Sequence, residues 1–307
     1  MIVVFGSVNI DLISKVERFP HPGETITGAD HVVAAGGKGA NQALAARRMG
    51  AEVAFVGAAG TDNFADLALA HLHADGVHLD HVATADGVTG TAFITVDANG
   101  ENQIVLSPGA NAQVKAAALD EIVTAAGDSL LVQGEVSMGE TEKALAWAKG
   151  RGMTRIFNLA PARPVSTKLL SLVDILIVNE EELRQVAERS GLHGGASDVV
   201  EKLASDLGLG VVVTLGAQGA LAHVDGQTAR CPGFPVDPVD TTGAGDAFVG
   251  AFAAALDAGL RLEIAIRQGC AAGALACLKQ GAQPSLPRRD DVEALLGNAG
   301  RFEDKRS

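Results

Sequence analysis

Asp240–Thr241–Thr242–Gly243–Ala244–Gly245–Asp246–Ala247–Phe248–Val249–Gly250 sets a carboxylate and two hydroxyls ahead of a small-residue turn, with a second carboxylate, Asp246, directly after it. From Ala247 onward, Phe248, Ala251, Phe252, Ala255 and Leu256 recur at helical spacing, so the turn leads into a helix with one face on a core. The first backbone N–H groups of a helix lack intrahelical partners and favour negative charge. Gly243, Ala244 and Gly245 keep bulky side chains away, so a phosphate-sized anion can approach those groups. A carboxylate beside an anion site adds repulsion unless it has a task, and accepting a proton from an attacking hydroxyl is one that suits Asp246. The same residues also read as a tight turn followed by an ordinary acidic first turn, and this segment alone does not separate the two readings.

Upstream, Val211–Leu215 is an apolar strand ending in Gly216–Ala217–Gln218–Gly219, and a hairpin passes through Asp225–Gly226. Other short apolar runs, Ile2–Phe5, Val53–Gly57, Ser129–Gln133, Arg155–Asn158 and Ile175–Val178, alternate with helical patterns such as Ala43–Met49 and Phe64–Asp75. Strands apolar throughout, interleaved with alanine-rich helices, predict an α/β fold around a buried, mostly parallel sheet. Polar residues gather just past the strand ends: Asn9 and Asp11 after the first, Glu135 after Ser129–Gln133, and Asn179 with Glu180–Glu182 after Ile175–Val178. Open α/β sheets bind ligands at such positions, although each residue singly also suits a turn or a helix start. Gly36–Gly37–Lys38–Gly39–Ala40–Asn41 opens a helix that stops at Gly50, and it lacks the order of a Walker A loop.

Residues 12–35, with Pro20, Pro22 and Gly23, read as short strands and turns. Gly90–Asp97 and Glu101–Leu106 alternate about Asn99–Gly100, the signal of a two-residue hairpin loop. Together the stretches of about 12–35 and 88–107 are predicted to form a small β-sheet lying over the site as a lid, on one domain spanning 1–307. The chain closes with an alanine-rich helix (Leu262–Leu278), the loop Gly281–Ala282–Gln283–Pro284–Ser285, a last helix near Asp290–Leu296, and a polar tail from Gly297 to Ser307 expected to fray.

Composition narrows the possibilities. The 307 residues are 47% hydrophobic but only 4% aromatic, so alanine, valine and leucine must do most of the packing. A net charge of −13, with no basic stripe or polybasic run, argues against a nucleic-acid or anionic-membrane partner. No apolar run approaches about 18 residues, so no transmembrane helix is expected. Cys231, Cys270 and Cys277 have no metal-ligand spacing and read as small core residues of a reducing, cytoplasmic protein.

In this order, Gly6–Ser7–Val8–Asn9–Ile10–Asp11, the Gly36–Asn41 run, Asn158–Leu159–Ala160–Pro161–Ala162, Asn179–Glu182, Thr214–Leu215–Gly216, Asp240–Asp246 and Gly281–Ser285 resemble the motifs of the ribokinase family of sugar kinases (the PfkB family) over nearly the whole chain. The resemblance implies a Rossmann-like sheet capped by a β lid, and transfer of the ATP γ-phosphoryl group to a sugar, in the first instance to the 5-hydroxyl of D-ribose. It makes Asp246 the general base and Gly243, Ala244 and Gly245 the anion hole. Asn9, Ile10, Asp11, Gly37, Lys38, Gly39, Ala40, Asn41 and Glu135 would line the sugar pocket. Asn179, Thr214, Leu215, Gly216, Ala217, Gln218, Gly219 and Cys270, with Gly245 and Asp246, match nucleotide-contacting positions. Glu182 matches a carboxylate tied to Mg2+ and phosphate. Asp240, Thr242, Ala276, Lys279, Gly281 and Ser285 match a site for a monovalent cation, K+. A homodimer joined through the lids is the assembly the family suggests. Departures occur at Val136–Ser137–Met138, Ala217 and Cys270, which fall at the sugar end of one strand and in the nucleotide segment. Kinases of fructose, 2-deoxyribose or nucleosides remain alternatives within the family, and a sugar-binding regulator without catalysis remains one outside it. The G-x-G-x-x-G turn of an NAD-binding oxidoreductase is missing after the first strand.

Overall fold

The structure, a computed structural model, describes residues 1–303, with side chains described as far as Gly297. Thirteen strands form two sheets among the described residues: β1 (Ile2–Phe5), β2 (Asn9–Lys15), β3 (Val32–Gly36), β4 (Val53–Ala59), β5 (His78–Thr84), β6 (Gly90–Val96), β7 (Asn102–Ser107), β8 (Ser129–Gln133), β9 (Thr154–Asn158), β10 (Ile175–Asn179), β11 (Gly210–Thr214), β12 (Ala220–Val224) and β13 (Gln227–Cys231). The larger sheet runs β13-β12-β11-β10-β9-β8-β1-β4-β5, and the smaller β3-β2-β6-β7. The larger sheet is parallel except at its β11–β12–β13 edge.

Burial explains why β1 reads as a continuous apolar run. Ile2 and Val4 face one core layer and Val3 and Phe5 the other, so both faces of the sheet are covered. Helices Lys38–Arg48, Ala65–Ala74, Ala244–Asp257 and Leu262–Ala276 pack on the first face; Met138–Lys149, Glu180–Arg189 and Ala196–Leu207 pack on the second. Because β1 lies between β8 and β4, the strand order reverses beside it, and the crevice at the carboxyl ends of β1 and β8 is the topological switch point.

The smaller sheet draws its strands from the two stretches expected to form it, but it begins at Asn9, earlier than the expected residue 12. Only Gly6–Val8 separates β1 from β2, so the chain passes directly from one sheet into the other there. The turn between β6 and β7 corrects the expected two-residue loop. Val96 pairs with Asn102, Asp97 N–H bonds to the Glu101 carbonyl, and Gly100 alone of the turn residues has a positive φ, +82°. The Asp97 carboxylate accepts the N–H groups of Asn99 and Glu101 and stabilises this three-residue loop instead. At Asp225–Gly226 both residues have positive φ, 50° and 73°, and the tight turn joins Val224 to Gln227.

Strand β5 escaped the sequence reading because His78–Thr84 is a half-exposed edge strand with little apolar character. The last helix, Arg289–Glu303, runs further than expected, which corrects the fraying predicted for 297–303; residues 304–307 lie outside the described residues. Among the described residues no helix is long and apolar enough to cross a membrane.

Candidate active site

Four chain segments meet at the switch point. The first is the start of helix Ala244–Asp257. Its N-cap Gly243 has φ +79°, and no side chain caps the helix, although the Ala244 N–H bonds the Thr241 carbonyl at 3.2 Å. A Cβ on Gly243 would lie 3.0 Å from Ala282 Cα, so glycine is required there both for backbone conformation and for the approach of the 281–285 loop. A Cβ on Gly245 would meet nothing within 4 Å, so the space over this turn is open. The cleft beside it is lined by Lys38, Asn158, Asn179, Glu182, Thr214, Gly245 and Asp246.

Asp246 is 6% exposed, and both of its carboxylate oxygens are held from helix Lys38–Arg48. Asn41 Nδ2 donates to Oδ2 at 2.9 Å and Gln42 Nε2 to Oδ1 at 2.8 Å. That helix starts at Gly37, with φ +90°, and packs so close to β1 that a Cβ on Gly39 would lie 2.4 Å from Ser7 N. Glu135 Oε2 accepts the Lys38 N–H (2.9 Å) and the Ser7 hydroxyl (2.5 Å), fastening the helix start to the ends of β1 and β8.

The second segment is the start of β2. Asn9 is buried, and its Oδ1 accepts Asn111 Nδ2 at 2.8 Å; the same Asn111 amide also bonds Val8 N–H and carbonyl, at 2.9 Å each. Asn111 thus clamps the passage between the two sheets. Asp11 faces the same space, with Gly36 against its carboxylate so closely that a Cβ there would lie 2.5 Å from Oδ2. Burial, then the charges of Glu135 and Asp246, push the Asp11 pKa up to about 7 against the opposing pull of Lys38. Lys38 stands among four carboxylates: Asp246 chiefly, with Glu135, Glu182 and Asp11, hold its ammonium charged above the ordinary lysine range in spite of burial.

The third segment is the end of β10. Asn179 caps helix Glu180–Arg189, accepting the Glu182 N–H at 2.8 Å, while Glu182 Oε2 accepts the Asn179 N–H at 2.8 Å in a reciprocal capping box. Glu182 is nevertheless 6% exposed and reaches the cleft, and burial raises its pKa. Thr214 ends β11 at the same cleft, and Leu215–Gly219 forms the turn to β12, closed by the Leu215 N–H to Gly219 carbonyl bond.

The fourth is the pair of loops beside Gly243. Asp240 Oδ1 accepts the Thr242 N–H (2.9 Å) and Oδ2 the Gly281 N–H (2.8 Å), which binds the loops together. Burial pushes the Asp240 carboxyl up, but these N–H groups outweigh it and hold it below the usual range. Ser285 is buried and donates to the Ala282 carbonyl, and the Ala276 carbonyl accepts the Lys279 N–H.

Some residues named from sequence have packing roles instead of facing the cleft with side chains. Ile10, Ala40, Ala276 and Cys270 lie in the core beneath the site, and the Cys270 thiol sits against Cys231, which together with burial pushes its pKa up. Sequence reasoning missed Gln42, Gln133 and Asn111, and named Asn158 only as part of a motif without a role; all four are buried amides around Asp246 and Asn9. A polar amide inside an otherwise apolar element, such as Gln133 at the end of Ser-Leu-Leu-Val-Gln, was the available signal.

The chain resembles known proteins in sequence and in fold. The family model of pfkB family carbohydrate kinases matches residues 1–289, and the chain belongs to that family. The ribokinase of Haemophilus influenzae is 39% identical over 306 residues, covering 97% of this chain and 99% of that protein. The ribokinase of Bacillus subtilis is 35% identical over 300 residues, covering 96% and 99%. Among solved structures, ribokinase from Thermotoga maritima superposes with a TM-score of 0.87 at 37% identity, covering 96% of this chain and 99% of that one. Arabidopsis thaliana ribokinase complexed with ribose and ATP gives 0.85 at 32% identity, covering 96% and 98%.

Proposed function

We propose that this carbohydrate kinase transfers the γ-phosphoryl group of ATP to the 5-hydroxyl of D-ribose, giving ribose 5-phosphate and ADP. The observation that carries the reading is Asp246: a buried carboxylate, both oxygens fixed by amides, at the uncapped start of a helix and facing a cleft lined by Lys38. The relatives' names and the complex of one of them with ribose and ATP support the substrates.

In this reading Asn9, Asp11, Lys38, Asn41 and Glu135 hold the sugar hydroxyls, and Asp246 accepts the proton of the 5-hydroxyl as its oxygen attacks the γ-phosphorus. The bond from that phosphorus to the β–γ bridging oxygen breaks, and ADP leaves. The start of the helix at Gly243–Gly245 stabilises charge on the transferring group. Asn179 and Thr214–Gly219 receive the nucleotide.

Among the described residues no cluster of three or more His, Cys, Asp or Glu could cage a metal ion. The cleft carboxylate Glu182 is a hard oxygen donor that would fit magnesium arriving with the nucleotide phosphates, where it would supply charge neutralisation. The loops joined through Asp240 and Gly281 offer carboxylate, hydroxyl and carbonyl oxygens suited to potassium. We further propose a homodimer through the smaller sheet, which exposes Val32, Phe93, Ile104 and Val105, and a cytoplasmic location, supported by the cysteine usage.

A sugar panel with ATP and magnesium tests the substrate. D-ribose should exceed 2-deoxyribose in kcat/KM by roughly 5–150-fold, since a buried polar group left unpaired costs roughly 1–3 kcal/mol. Activity should rise with potassium, and sodium should replace it poorly. A better rate with fructose or a nucleoside would overturn the choice of ribose, and equal rates with and without potassium would overturn the cation site.

Asp11 gives a pH dependence. Its raised pKa means that it is protonated below about 7 in the sugar-free protein and ionised above. Sugar hydroxyls donate best to the ionised form, so binding releases a proton and ribose affinity strengthens as pH rises, by roughly tenfold between pH 6 and 8. Calorimetry across that range should show this slope, flattened in Asp11→Asn. An affinity independent of pH, or one that weakens, would contradict the assignment of Asp11 to the sugar.

A further inference from the structure

We propose that Gln42 is a positioning residue for phosphoryl transfer, acting through Asp246; the inference rests on the reading of Asp246 as the base. Gln42 is 0% exposed, so its side chain meets no substrate. Its carboxamide is fully engaged. Oε1 accepts Gln133 Nε2 at 2.9 Å, and Nε2 donates to both Asn158 Oδ1 and Asp246 Oδ1, each at 2.8 Å. Asn158 is anchored in turn, its Nδ2 donating to the Ile177 carbonyl at 3.1 Å.

Each bond fixes the next. The Gln133 donor holds the oxygen end of the Gln42 amide towards β8, which leaves only the nitrogen end to face Asp246. Asn158 takes the other Gln42 proton and holds the amide plane. Asn41 then fixes the second Asp246 oxygen from the adjacent residue of the same helix. Two amide donors, one on each oxygen, define the plane of the carboxylate and the lone pairs left to meet the sugar hydroxyl. Asn41 borders the sugar pocket, whereas Gln42 is sealed beneath it. Removing the Gln42 link leaves Asp246 held by Asn41 at one oxygen only, so the carboxylate is free to turn about that bond.

The test is steady-state kinetics of Gln42→Met, which keeps length and apolar volume and removes both donors. Misplacement by about 1 Å typically lowers turnover by about 10²-fold, so kcat should fall by about that factor while the KM values for ribose and ATP stay within about threefold. In an Asp246→Asn background the same substitution should change residual turnover by less than about threefold, because its route of action is gone. Gln42→Leu, which likewise removes both donors, should show the same split and serves if the methionine variant does not fold. Wild-type kcat in Gln42→Met or Gln42→Leu would overturn the proposal while leaving the role of Asp246 intact. So would a full-sized loss persisting in the Asp246→Asn background, or a kcat loss matched by an equal loss of ribose affinity. High turnover in Asp246→Asn alone would instead remove the reading on which the proposal rests.

Discussion

Asp246→Asn is expected to lower turnover by about 10³-fold or more, while ribose still binds within a few-fold of wild type. Removing a general base typically costs about 10²–10⁴-fold, and the upper part of that range applies where the same group also orients the nucleophile. The geometry of Asp246 suits both proposed tasks. It is buried, its two oxygens are fixed by Asn41 and Gln42, and it lies in the first turn of its helix beside the open space over Gly245. An amide of the same shape keeps the packing but accepts no proton at neutral pH. Asn9, Asp11 and Glu135, the residues proposed to hold the sugar, come from other elements, so binding should survive the change. Rapid-quench turnover with saturating ATP and ribose, paired with calorimetric binding, measures both quantities. A variant retaining a tenth of wild-type turnover would remove Asp246 from the role of base.

Gly250→Val should cause the second large loss, without touching any polar group of the site. Gly250 lies where helix Ala244–Asp257 crosses helix Lys38–Arg48. A Cβ there would fall 2.5 Å from Ala45 Cβ, 2.7 Å from the Gln42 carbonyl oxygen and 2.8 Å from Ala46 N. Two of these neighbours are backbone, so the helices must separate to admit a branched side chain. Overpacking of this kind destabilises by about 3 kcal/mol. The same separation pulls Asp246, one turn before Gly250, away from Asn41 and Gln42 on the opposing helix, where Gln42 lies at the contact itself. Turnover should therefore fall by about 10²-fold, as expected for a displacement near 1 Å. Thermal unfolding and kcat measured on the same preparation check this, and a variant with unchanged melting and unchanged kcat would show that the helix contact does not set the site.

The sequence made the strands of the central sheet legible because they are buried on both faces. Ser129–Gln133 is the clearest case: five residues bounded by polar ends, with the strand observed at those limits. The half-exposed β5 carried no such contrast. Asp246, Gly243 and Asn179 were legible because each stands at a helix start, where residue choice is dictated by unsatisfied backbone groups. Gln42 and Asn111 were not, since what defines them is contact across about a hundred residues or more of chain: Gln42 to Asp246, Asn111 to Val8 and Asn9. Local pattern reports periodicity and caps; it does not report which buried amides will meet. The turn at Asp97–Glu101 failed for a related reason. Asn-Gly predicts a two-residue loop, but the Asp97 carboxylate two residues before Asn99 supplies competing acceptors that favour the longer one.

Transfer to the 5-hydroxyl, rather than to water or to another oxygen, is the claim on which the site assignments converge. ADP release alone cannot separate these outcomes, so the direct measurement is phosphorus and carbon NMR of the product formed from ATP, magnesium, potassium and D-ribose. A single phosphomonoester coupled to carbon 5, appearing in step with ADP and abolished in Asp246→Asn, is the predicted result. Inorganic phosphate in place of a sugar ester, or an ester on another ribose carbon, would contradict it.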